Sequence, residues 1–67
     1  MNLVSYWFVV LDEQTGTFYN AQMSDDSNIY DDAVLKFEEQ FPSYIVVEGG
    51  EGVENRPAAF VKLPYVS

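Results

Sequence analysis

The run from Leu3 to Leu11, LVSYWFVVL, decides the fold. It is β-branched and aromatic almost throughout, the composition of a strand. Side chains alternate along a strand, so Leu3, Trp7, Val9 and Leu11 point one way and Val4, Tyr6, Phe8 and Val10 the other. A strand that is apolar on both parities is normally covered on both faces. One cover can come from a helix. The second must come from the termini and a long loop wrapping the sheet, or from another chain, as in a homodimer formed through the open sheet face.

The neighbouring segments supply the rest of a small sheet. Asp12 to Gly16 (DEQTG) is a turn signal in which Gly16 can take positive φ. Thr17 to Met23 (TFYNAQM) is a second strand, and two such runs joined by a short glycine-containing turn make a hairpin. Ser24 to Asn28 is rich in helix-capping residues, with Ser27 or Asn28 as the cap and Asp31 and Asp32 in the first turn. From there Tyr30, Ala33, Val34, Phe37 and Phe41 recur at the spacing of one helical face. Pro42 ends the helix, because the residue before proline avoids the helical region. Tyr44 to Glu48 (YIVVE) is a third strand, Gly49 to Pro57 a flexible loop, and Ala58 to Leu63 (AAFVKL) a fourth strand limited by Pro64 to an edge or an end. The expected architecture is a single α+β domain over residues 1–67. Its order is ββαββ, with a four-stranded antiparallel sheet and one helix packed on one face.

Composition narrows the function. The chain has 67 residues and carries eleven carboxylates against three cations, Lys36, Arg56 and Lys62, for a net charge of −8. A field of that sign repels phosphates, so direct binding to nucleic acid or to an anionic membrane is not expected. A basic protein surface is the complementary partner. With no Cys and no His, disulfides, zinc sites of the usual kind, thiolate chemistry and haem ligation are excluded. Met1 to Leu11 lacks a basic start and runs into Asp12 and Glu13, unlike a signal peptide, and no apolar run is long enough to span a bilayer. A cytoplasmic protein is expected.

No constellation for catalysis stands out. General acid–base work would fall to carboxylates or tyrosine, and a chain this short does not easily build the cleft that paired carboxylates need. Gly49-Gly50-Glu51-Gly52 lacks the Gly-Lys-Ser/Thr of a phosphate loop and is flanked by acids. Asp26 to Asp31 begins like a calcium loop, but Tyr30, Asp31 and Phe37 stand where an oxygen ligand, the glycine and the closing glutamate belong. Neither a metal site, a cofactor nor an enzyme activity is expected.

The remaining pattern is the acids on the helix. Asp31 and Glu38, and Asp32 and Glu39, each lie seven residues apart and return to nearly the same face, in rows about 10 Å long. Leu35 sits between the two rows. An exposed leucine framed by carboxylates has the form of a small hot spot with an electrostatic rim. Asp31 and Asp32 also suit the helix dipole, and Asp32 can pair with Lys36. Glu38 and Glu39 gain nothing from the dipole, which leaves partner binding or solubility to account for them.

These residues favour a regulator or inhibitor docking on a basic site of a partner, in its sharpest form a nucleic-acid mimic acting on a nucleic-acid-handling protein. Small size and acidity of this kind are common among phage-encoded inhibitors. The binding set is Asp31, Asp32, Leu35, Glu38 and Glu39, supported by Asp25, Asp26, Asp12 and Glu13. One alternative is an interaction or self-assembly module using the sheet face, with Tyr6, Trp7, Tyr19 and Tyr65 as anchors. Another is a structural subunit of a larger complex.

Overall fold

The computed structural model describes residues 2–66 and contains three strands and one α-helix. They are β1 (Val4–Asp12), β2 (Thr17–Asp25), α1 (Tyr30–Gln40) and β3 (Tyr44–Glu51), followed by 3₁₀ turns at Val53–Asn55 and Ala58–Phe60. The sheet is antiparallel in the order β2-β1-β3. β1 is therefore central, which accounts for its apolarity on both parities. In the hairpin, Leu11 stands opposite Phe18 and Asp12 opposite Thr17. Gly16 closes the turn with φ 73° and donates its amide to the Asp12 carbonyl at 2.7 Å. The sheet and α1 make a small α+β domain.

The expected four-stranded sheet is not formed. Ala58 to Leu63 is a 3₁₀ turn followed by irregular chain, and only Tyr65 makes a bridge, a parallel one to Asn20 at the β2 edge. The reason lies in β1. Its second face needs a cover more than the sheet needs another edge, and residues 52–66 supply it by crossing from the β3 edge to the β2 edge as a strap. Gly49 and Gly50 also differ from expectation, lying inside β3 rather than in a loop. A methyl at Gly49 would stand 2.6 Å from both the Trp7 carbonyl and the Tyr30 hydroxyl, and one at Gly50 would meet the Trp7 indole at 3.0 Å. The two glycines are places of close approach for groups on opposite faces of the sheet.

On the helix side, Tyr6, Phe8 and Val10 pack with Ala21, Ala33 and Phe37. The Phe8 and Phe37 rings lie 5.3 Å apart. The helix face expected from periodicity is the one that packs, with Ala33 and Phe37 buried at its centre. Its start differs in detail. The N-cap is Ile29, with no side-chain cap, and the Ser27 hydroxyl instead accepts the Ile29 amide at 3.1 Å. The Tyr6 hydroxyl donates to the Ser27 carbonyl at 2.7 Å and so ties this connection to the core. Among the described residues, no helix is long and apolar enough to cross a membrane.

Candidate functional site

Two polar ties hold α1 by its flanks. On the β2 side, the Lys36 ammonium donates to both carboxylate oxygens of Asp25 at 3.0 Å and lies 3.7 Å from Asp26. The expected Asp32–Lys36 pair is thus replaced by a tie to the sheet. The hydrogen bond from Lys36 holds the Asp25 carboxyl below its ordinary range, and the same bond raises the Lys36 ammonium. On the β3 side, the Glu38 carboxylate accepts the Val46 amide at 3.0 Å. Val46 lies beside a bulge, where β3 places Val46 opposite Val10 and Glu48 opposite Val9, leaving Val47 as the extra residue. Glu38 accordingly has a structural role at the position where the helix dipole disfavours it.

Between these ties the outward face of α1 is open. Leu35 is 59 % exposed, and Asp31, Asp32 and Glu39 around it are exposed as well. Among the described residues, none of these three carboxylates forms an ion pair, since Lys36 is engaged by Asp25 and Asp26. Arg56 is committed elsewhere. It donates to the Ala21 carbonyl at 3.0 Å and to the Tyr65 hydroxyl, and it lies over the Tyr65 ring. Two of the three cations are therefore occupied in holding the fold. A cleft of about 560 Å³ lies between the end of β2 and α1, lined by Met23, Ser24, Asp25, Lys36, Glu39 and Gln40. Asp26 is placed only by its approach to Lys36, whereas Asp12 and Glu13 lie at the far hairpin, where the Asp12 carboxylate accepts the Gln14 amide. Of the nine residues expected to bind a partner, the structure gathers Asp31, Asp32, Leu35 and Glu39, and turns Glu38 toward the sheet.

The four aromatic residues considered as sheet-face anchors do not share a surface. Tyr6 is enclosed on the helix side, where burial, with Glu51, Asp25 and Asp32 adding to it, pushes its phenol pKa up. Tyr19 packs edge-on to Tyr44 on that same side. Trp7 points the other way and is only 6 % exposed, beneath Phe60 at a ring separation of 6.2 Å. Tyr65 is exposed on the strap. The open apolar surface lies elsewhere on the strap side, at Phe18, Ile45 and Val47. Its position was accessible from the sequence, because a four-residue turn after Asp12 sets Phe18 opposite Leu11, on the parity of Trp7.

The strap is held mainly by Asn20. Its side-chain amide donates to the carbonyls of Phe60 at 2.6 Å and Leu63 at 3.1 Å. Its backbone donates to the Pro64 carbonyl and accepts from the Val66 amide. Among the described residues, no group of three or more carboxylates is placed to hold a metal ion. Comparison with protein-family models, with curated proteins and with solved structures finds no match for this chain.

Proposed function

We propose that this protein is a small acidic binding module, with a regulatory or inhibitory rather than a catalytic role, that docks α1 on a basic site of a partner protein. The observation that supports this is the exposed Leu35 framed by three carboxylates that have no ion-pair partner among the described residues, on a helix tied to the sheet at both flanks. A rigid face costs little entropy to dock, and the net charge of −8 speeds encounter with a positive surface. In its sharpest form the carboxylates occupy a groove built for phosphates on a nucleic-acid-handling protein.

The test is capture from a nuclease-treated lysate on immobilised protein, followed by elution with salt or with duplex DNA. Captured proteins should be released at moderate salt and displaced by the duplex. A variant carrying Asp31→Asn, Asp32→Asn, Leu35→Ser and Glu39→Gln should retain them about tenfold less well. Equal retention by the variant would remove the helix face from consideration.

A further inference from the structure

We infer that the groove beside the strap is a second docking surface, for a short basic segment carrying one bulky apolar side chain. The inference rests on the proposal that the partner is basic, and it adds a surface that the acidic helix face does not include. The groove has a volume of about 500 Å³ and is walled by Val9, Phe18, Val47, Phe60 and Leu63, with Glu48 at its side. That is room for a large side chain with its flanks. Phe18 is 45 % exposed and Val47 50 %, and Ile45 extends the same apolar surface beyond them.

The strap shows what this face accepts. Phe60 rests on Trp7, and the Asn20 side-chain amide donates to the strap's carbonyls at Phe60 and Leu63. The groove continues that seat toward the hairpin, so an irregular segment with one apolar anchor fits it in the same manner. Charge selects the kind of segment. Glu48 lines the groove, and a second copy of the chain would bring its own net charge of −8 to an already negative body. Lysine or arginine flanking the anchor is the complementary arrangement.

The experiment measures fluorescence anisotropy of two labelled peptides at low salt, Lys-Lys-Phe-Lys-Lys and Lys-Lys-Gly-Lys-Lys. The first should bind about tenfold more tightly than the second. A variant with Phe18→Ser and Val47→Ser should abolish that difference, while one with Leu35→Ser and Glu39→Gln should preserve it. Unchanged Trp7 emission checks that each variant is folded, and Val47→Thr alone, which keeps the branched side chain, should reduce the difference partially. Equal binding of the two peptides to the native chain would overturn the inference. So would persistence of the difference in the groove variant, or a dimer in sedimentation that the groove variant dissolves. If the difference vanishes only in the helix variant, the groove fails and the helix-face proposal stands. If the groove pattern holds while lysate capture fails, the reverse follows.

Discussion

On the helix side of the sheet, Tyr6, Phe8 and Val10 meet Ala33 and Phe37 through side-chain packing; on the strap side, Trp7 and Val9 lie under a segment tied largely by hydrogen bonds to Asn20. None of the strap's described residues is itself fully buried. Packing of the first kind spreads its stabilisation over many contacts and is lost only when the whole core opens. A cover of the second kind depends on a few polar groups and can be lost locally. The two faces of one strand thus belong to different levels of cooperativity.

The largest effect should come from the helix side. Phe37→Ala removes a ring from the centre of the core and should cost about 3–5 kcal/mol. A domain of this size holds roughly 3–10 kcal/mol in total. Urea unfolding should show the whole fold weakened, with Trp7 exposed no later than the helix signal is lost. A Trp7 that stayed shielded after the helix signal was gone would mean that the helix side is not the common core.

The two glycine seats sharpen the contrast. Gly49→Ala drives a methyl into the immobile Trp7 carbonyl as well as the Tyr30 hydroxyl, and should cost about 3 kcal/mol. Gly50→Ala meets only the Trp7 ring, which the less tightly packed strap side can accommodate, so its cost should be below about 1 kcal/mol. Equal losses in thermal unfolding would mean that the strap side is packed as tightly as the helix side.

Asn20→Ala breaks the side-chain clamp and should cost about 2 kcal/mol. Its distinctive result is local. Trp7 emission should shift to the red and become quenchable by acrylamide, while amides of α1 stay protected from hydrogen exchange. A Trp7 that remains shielded would show that Phe60 holds the strap without the clamp.

The smallest effect concerns the Asp25–Lys36 tie. Because Lys36 lowers the Asp25 pKa, the carboxylate's stabilising contribution is present above the ordinary carboxylate range and is lost as pH falls through the lowered value. Because Asp25 raises the Lys36 pKa, the ammonium's contribution is present below its ordinary value and is lost as pH rises through the raised one. The gap in urea midpoint between the native chain and Asp25→Asn should therefore be widest near neutrality and narrow at both extremes. A gap independent of pH would assign the effect to something other than the ion pair.

Much of this arrangement was legible in the sequence. The double apolar parity of Leu3 to Leu11 foretold a strand needing two covers, though not its central place in the sheet, Gly16 marked the hairpin, and the period of Tyr30, Ala33, Phe37 and Phe41 marked the packed helix face. Ala58 to Leu63 misled because its composition suits a strand, and only the competing need to cover Trp7 turns it into a strap. Gly49 and Gly50 read as a loop because glycine propensity is local, whereas their use here is set by Tyr30 and Trp7, distant in sequence. Within the acidic stripe, the exposure of Leu35 followed from helical angle. The diversion of Glu38 did not, since it depends on where the bulge at Val47 leaves the Val46 amide.

The Asn20 clamp also bears on the order of folding. It joins residues 40 and 43 positions apart, among the most distant hydrogen bonds in the chain. Closing so long a loop is entropically slow compared with forming the hairpin or the helix. The β1–β3 pairing is as distant, since Tyr6 stands opposite Glu51, so the β1–β2 hairpin and the helix can form first, with Trp7 still in water, and β3 and the strap dock afterwards. A folding experiment that follows the single tryptophan would then record a late step of the process, and one that follows helix content would record an earlier one.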